Sequence, residues 1–82
     1  MHYELRFSED AGEQLRALPK AIRKRVGVSL TQMQTDLAGD VRKLSGRESM
    51  YRLRVGSYRV LFRLEGNVIA VYAVKGRKDA YA

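Results

Sequence analysis

Apolar and polar residues follow two different periods along this chain, and the change of period divides it into two parts. Residues 2–7 alternate between apolar and polar, which is typical of a half-buried strand. Apolar side chains then recur three and four positions apart, which predicts two helices, 8–18 and 19–37, that share one apolar stripe. Ser8 is the expected N-cap of the first helix, and Pro19 breaks that helix or opens the next.

The second part has a period of two. Residues 41–49 form a predicted polar connector, and residues 51–55 and 58–64 then alternate around a two-residue hairpin signal, Gly-Ser. After a second turn, residues 68–74 are apolar at both parities, which is typical of a central strand. The order β-α-α-β-β-β predicts an α+β fold in which the helical hairpin packs on one face of a mostly antiparallel, four-stranded sheet. The other face of the sheet is expected to carry the alternating arginines.

That arginine face depends on how the strands pair. If residues 56–57 form the hairpin loop, Arg54 lies opposite Arg59, with Arg52 on the same face. A three-residue second loop would bring Arg77 to this face as well, whereas a two-residue loop would turn the last strand over. Like charges directly opposite each other destabilise a sheet, and this predicted cluster contains no carboxylate. We therefore expect a polyanion to bind there, the alternative being a solvated basic face.

Composition limits the possible classes of protein. The chain has 82 residues and a mass of 9.4 kDa, so we expect one domain, 1–82. It contains no Cys and one His, and we therefore expect no disulfide, no metal site and no cofactor. The sequence has no apolar run long enough to span a bilayer and no apolar signal core near its N-terminus. These features predict a cytoplasmic protein with no membrane partner.

The positive charge is concentrated in the second half of the chain. Lys and Arg number 16 and Asp and Glu number 9, a net charge of +7. Residues 1–40 hold six basic and six acidic side chains, whereas residues 41–82 hold ten basic and three acidic ones. A one-sided positive field favours a polyanionic partner such as a nucleic acid or an acidic protein, although a high net charge also improves solubility.

Four short motifs, in order, resemble the RelE/ParE superfamily of bacterial toxin–antitoxin modules. Residues 8–19 match the pattern S-x-x-A-x-x-x-L-x-x-L-P, and residues 44–46 match L-x-G. Residues 51–60 contain the hairpin pattern Y-R/K-x-R/K-x-G-x-Y-R, and residues 77–81 match R-R/K-D/E-x-Y. Together the motifs extend over nearly the whole chain, and the order and spacing carry the resemblance.

The resemblance implies one of two main activities. RelE-like members cleave messenger RNA in the ribosomal decoding site, whereas ParE-like members inhibit DNA gyrase without a nuclease site. The positions that RelE-like members use for cleavage correspond to Arg52, Arg54, Arg59, Arg77 and Tyr81. All five hold a suitable or near-suitable residue, which favours a metal-independent endoribonuclease. Gyrase inhibition remains the alternative, and a toxin-like fold that only binds nucleic acid or a co-repressor is a third possibility.

The resemblance also implies roles and partners. Arg59 and Arg77 are assigned to the scissile phosphate, and Tyr81 to base stacking or proton transfer. RelE has lysines where this chain has Arg52 and Arg54, and arginine stays protonated in proteins, so it is a poor general base. The base is then Tyr81 or ribosomal RNA, or else the protein is a slow nuclease. The implied partners are an acidic cognate antitoxin, the ribosome with its mRNA, and operator DNA only through the antitoxin complex.

Overall fold

The structure of this chain is a computed structural model that describes residues 2–44 and 49–76. Within these residues the chain forms two helices and five strands. In chain order they are β1 (Glu4–Phe7), α1 (Glu9–Arg16), α2 (Lys20–Asp36), β2 (Asp40–Lys43), β3 (Met50–Val55), β4 (Tyr58–Glu65) and β5 (Val68–Gly76).

The strands form one sheet in the order β1-β5-β4-β3-β2. Three of its four strand pairs are antiparallel, and β1 runs parallel to β5. The predicted α+β fold with a mostly antiparallel sheet is confirmed, but the sheet has five strands rather than four. The additional strand is β2, most of which lies in the predicted polar connector, 41–49. Val41 is its only apolar residue, so alternation cannot reveal it, and charged residues are usual on a strand at the edge of a sheet.

Both helices begin close to where the apolar spacing placed them. The hydroxyl of Ser8 accepts a hydrogen bond of 3.1 Å from the backbone N–H of Ala11, so the predicted N-cap is confirmed. Pro19 stands directly before α2, where its missing N–H costs no helical hydrogen bond. At the other end of α2, Leu37 takes a left-handed conformation with φ 60°, which turns the chain toward β2.

The helices cover one face of the sheet, and the hydrophobic core lies between the helices and this face. Helix residues Ala11, Val26 and Met33 are fully buried there. The sheet residues of this core come from β3, β4 and β5, and the register of these strands places all of them on the same face. They are Leu53, Val55, Val60, Phe62, Ile69, Val71 and Val74. Neither α1 nor α2 covers the opposite face, which we call the uncovered face.

The two hairpin loops set the register of the last three strands. Val55 pairs with Tyr58, so the predicted two-residue first loop is confirmed, and Gly56 supplies the positive φ (59°) that its first position requires. The sequence left two lengths open for the second loop, and the two-residue loop is the one that forms. Glu65 pairs with Val68, which leaves a loop of two residues whose first, a glycine, again has positive φ.

A β-bulge in β5 compensates for the shorter loop. Leu61 pairs with Ala73 but Phe62 pairs with Val71, so Tyr72 is an extra residue on β5. Before the bulge, the odd-numbered residues Ile69 and Val71 face the helices and not the arginine face, as expected for a two-residue loop. After the bulge the parity is reversed. Val74 then packs in the core, and Lys75 lies on the uncovered face.

Candidate functional site: a basic row on the uncovered face

Three cations lie in a line across the uncovered face of the sheet. Arg54 of β3 pairs with Arg59 of β4, as the hairpin signal predicted, and Arg59 pairs in turn with Lys75 of β5. We call these three residues the basic row. Directly opposite residues have their Cβ atoms about 5 Å apart, so three long cationic side chains leave the sheet side by side. Arg59 and Lys75 are half-buried, and Arg54 is exposed.

A carboxylate stands at one end of this surface, contrary to the sequence-based expectation. Asp40 of β2 pairs with Arg54, on the face that carries the basic row. The guanidinium of Arg52 donates a hydrogen bond of 3.2 Å to the backbone oxygen of Asp40, and its Nη1 lies 3.6 Å from the Asp40 carboxylate. The side chain of Arg52 is only 13% exposed, against 49% for Asp40. Arg52 is thus held in place and partly neutralised.

Arg54 extends toward the β3–β4 turn. Its Nε donates a long hydrogen bond, 3.4 Å, to the backbone oxygen of Gly56. Arg25 of α2 reaches the same turn. Its Nη1 lies so close to Gly56 that a Cβ at this position would be 3.2 Å away from it. The two guanidinium groups therefore border the turn from opposite faces of the sheet.

A groove of about 560 Å³ lies between α2 and this turn. Its lining combines apolar residues with cations: Ala21, Lys24, Arg25, Val28, Ser29, Arg54, Val55 and Gly56. Val28 is 53% exposed and contributes apolar surface to the groove. We call this depression the α2 groove, and Arg54 connects it to the basic row.

The structure therefore places three of the five site residues expected from sequence on one surface. Arg52, Arg54 and Arg59 all lie on the uncovered face, in two adjacent cross-strand rows. Arg77 and Tyr81 lie outside the described residues. Arg63 is on the same face but four positions beyond Arg59 along β4, opposite Met50 and Ala70.

Sequence reasoning missed two cations of this face. Lys75 is absent from the expected site, because the bulge that aligns it with Arg59 leaves no mark in the hydrophobic pattern. Arg42 lies directly opposite Arg52 and was hidden in the supposed connector. The only available signal for Arg42 was the alternation of Val41 with its charged neighbours, which is too short to define a strand.

Within residues 2–44 and 49–76, His, Asp and Glu side chains do not form any group of three that could hold a metal ion. Neither of the described helices is both long and apolar enough to cross a bilayer.

Comparison with known sequences gives a match over nearly the whole chain. Residues 5–81 match the sequence model of the family described as the ParE toxin of the type II toxin–antitoxin system parDE. The toxin RelE3 of Methanocaldococcus jannaschii is 32% identical over 80 residues, which cover 92% of this chain and 91% of that toxin.

Solved structures show the same fold. A chain in the crystal structure of the RelB–RelE antitoxin–toxin complex from Methanococcus jannaschii superposes with a TM-score of 0.81 and 30% identity, covering 93% of this chain and 94% of that one. A chain of the archaeal RelE–RelB complex from Pyrococcus horikoshii superposes with a TM-score of 0.77 and 28% identity, covering 94% and 97%. The sheet, the helical hairpin and the uncovered face therefore belong to a fold that these proteins share.

Proposed function

Since this chain belongs to the RelE/ParE superfamily of toxins from type II toxin–antitoxin systems, we propose that it is a metal-independent endoribonuclease that cleaves translated mRNA on the ribosome. The proposed site is the uncovered face, with Arg52, Arg54 and Arg59, extended by Arg77 and Tyr81. The protein would act in the cytoplasm, where translating ribosomes are found.

The observation that carries this proposal is the basic row. Like charges on directly opposite positions destabilise a sheet, and here Arg54, Arg59 and Lys75 stand in successive opposite positions. A bound phosphate backbone offsets that repulsion. Guanidinium groups suit the task because their planar fork grips two phosphate oxygens at once.

The chemistry asked of this face is an in-line transesterification. The 2′-hydroxyl oxygen of the RNA attacks the adjacent phosphorus, and the bond from phosphorus to the 5′-oxygen of the next nucleotide breaks. The 2′-hydroxyl loses a proton to a base, and the departing 5′-oxygen gains one, which leaves a 2′,3′-cyclic phosphate and a free 5′-hydroxyl. The negative charge that builds up on the phosphorane is the part that Arg59 and its neighbours stabilise.

The deciding experiment is a primer-extension map of cellular transcripts after brief induction of the protein. Cuts inside translated codons support the proposal. The alternative, inhibition of DNA gyrase, is kept because the matching family model is that of ParE toxins. Loss of supercoiling with intact messages would favour gyrase inhibition and count against the nuclease.

Cleavage is expected to require the ribosome. Arginine is a poor general base, and the uncovered face of an 82-residue chain offers little surface to hold an RNA in the in-line geometry. The ribosome would supply that positioning, which can account for several kcal/mol of a reaction barrier. We expect the purified protein to cut a message in programmed ribosomes and to leave the same RNA intact without them. Strong cutting of naked RNA at neutral pH would contradict the requirement.

The expected protein partner is an acidic antitoxin. The α2 groove offers it an apolar floor with Val28, and Lys24, Arg25 and Arg54 supply positive charge around that floor. An amphipathic segment with acidic residues fits this combination, because it would bury the exposed valine and pair with the cations. Because Arg54 belongs to both surfaces, an antitoxin seated in the groove would also reach the basic row. Contact with operator DNA would then come only through the complex.

Antitoxin binding is expected to change the environment of the site. We predict that the free protein is toxic and that the antitoxin neutralises it by covering the basic face or displacing the segment that bears Tyr81. In NMR spectra of the complex, the signals of Arg54 and Arg59 should then shift, with Arg63 as the comparison. If neither arginine shifts while toxicity is lost, masking is wrong and neutralisation is indirect.

A further inference from the structure

Helix α1 holds the end of β5 in place beyond the point where β1 stops. Phe7, the last residue of β1, pairs with Val71 of β5. Three residues farther along β5, the backbone N–H of Val74 donates a hydrogen bond of 2.7 Å to Oε1 of Gln14 on α1. The side-chain amide of Gln14 thus takes the place of a strand neighbour on this edge of β5.

The same helix also contacts β5 on the other side of the bulge. The backbone N–H of Ser8 donates to the oxygen of Val71 at 2.9 Å, and its hydroxyl donates to the oxygen of Tyr72 at 3.4 Å. The bulged residue Tyr72 is therefore enclosed between two attachment points, Ser8 before it and Gln14 after it. Together they favour a fixed bulge over a strand that slips by one residue.

The bulge decides which face Lys75 occupies. Without the extra residue, the alternation that puts Ile69 and Val71 against the helices would put Lys75 there too. With it, Val74 enters the core and Lys75 lies opposite Arg59. Burying an ammonium group beneath the helices would be costly. The basic row therefore depends on α1, which holds β5 in the register that keeps Lys75 on the uncovered face.

We propose that Gln14 is a positioning residue of the site, which fixes the register of β5 and so keeps Lys75 beside Arg59 on the uncovered face. This inference rests on the proposed function for the identity of the bound anion, RNA, and on the geometry for the role of Gln14. Lysine brings a flexible ammonium with three donors to a site otherwise made of rigid guanidinium groups. Gln14 touches no substrate and acts through the backbone of Val74.

The test compares two glutamines that each tie a helix to neighbouring backbone. Gln14→Leu removes the acceptor at Val74. Gln34→Leu is the matched control, because Nε2 of Gln34, on α2, donates a bond of similar length, 3.1 Å, to the backbone oxygen of Tyr3. Both residues are half-buried, so both variants should lower the melting temperature by a similar few degrees. Gln14→Glu keeps an acceptor and is the rescue variant.

Two measurements do not depend on RNA cleavage. Amide hydrogen exchange at Val74 should speed up in Gln14→Leu and stay slow in Gln14→Glu and Gln34→Leu. In NMR titrations with inorganic pyrophosphate as a minimal polyanion, the Arg59 and Lys75 amides should shift, and the apparent affinity should fall about tenfold in Gln14→Leu alone. Equal loss in Gln14→Leu and Gln34→Leu, or no loss in either, overturns the positioning role.

A double-variant cycle then tests whether Gln14 acts through Lys75. Lys75→Ala should lower pyrophosphate affinity about as much as Gln14→Leu, and the double variant should be no worse than Lys75→Ala. Additive losses would show that Gln14 acts elsewhere and overturn the inference. If the wild-type protein binds pyrophosphate at Lys75 in this pattern but cuts no RNA on ribosomes, the proposed function fails and the inference about Gln14 stands.

Discussion

Arg59→Ala should abolish toxicity while the protein remains folded. Arg59 occupies the centre of the basic row, with Arg54 on one side and Lys75 on the other. If it stabilises the phosphorane, its loss should lower cleavage on ribosomes by roughly 10²–10³-fold, the usual effect of removing one such donor. The substitution removes two like-charge cross-strand pairs together with the contacts that Arg59 itself makes, so the melting temperature should change little. Cleavage rates on programmed ribosomes, together with thermal unfolding followed by circular dichroism, measure both effects.

Arg63→Ala is the matched control for this prediction. Arg63 is an exposed arginine on the same strand and the same face, but it lies outside the basic row, opposite Met50 and Ala70. It has the same charge and side-chain volume, and its removal should leave most of the activity. Should Arg59→Ala remain fully toxic, or should it simply unfold, Arg59 is structural and the proposed site is wrong at its centre.

Phe62→Ala should abolish toxicity for the opposite reason, by unfolding the protein. Phe62 is completely buried, and its ring stacks on Tyr51 with centroids 5.6 Å apart. Truncating a buried phenylalanine to alanine typically costs about 3–5 kcal/mol. A domain of this size has a free energy of unfolding of only about 4–12 kcal/mol, so much or all of its stability would be lost. The midpoint of urea unfolding should fall steeply or become unmeasurable.

Phe7→Ala is the comparison that separates burial from residue type. Phe7 lies at the end of the edge strand β1 and is 39% exposed, so its truncation should cost at most about 1–2 kcal/mol. Equal destabilisation by the two substitutions would contradict the position of the core. The two substitutions thus distinguish the two faces of β4. Phe62→Ala should lose both fold and function, whereas Arg59→Ala should lose function and remain folded.

The strand that sequence analysis missed changes the electrostatics of the site. A strand with one apolar residue, Val41, cannot be recognised by its pattern, because its pairing with β3 and not its own composition makes it a strand. Missing it also hid Asp40, which binds Arg52, so Arg52 and Arg54 are not equivalent as their shared motif suggested. Arg52 is tied to a carboxylate and mostly buried, whereas Arg54 is exposed between the basic row and the α2 groove.

Local sequence was sufficient wherever the determining interactions are local. The helix start at Ser8, the first hairpin loop and the pairing of Arg54 with Arg59 all depend on residues within a few positions of each other. The period of the apolar residues likewise determined which face of the β3–β4 hairpin packs against the helices. These features follow from backbone sterics and capping chemistry, which act over one turn of a helix or one loop.

Tertiary structure alone decided the features that join distant parts of the chain. The bulge at Tyr72 and the phase of β5 involve contacts with α1, 60 residues earlier in the case of Gln14 and Val74. The apolar pattern of β5 is the same at both parities, so it tolerates either phase, and only the packing of α1 and the register of β4 select one. For that reason the sequence by itself predicted an arginine face, and the folded chain determined that Lys75 completes it.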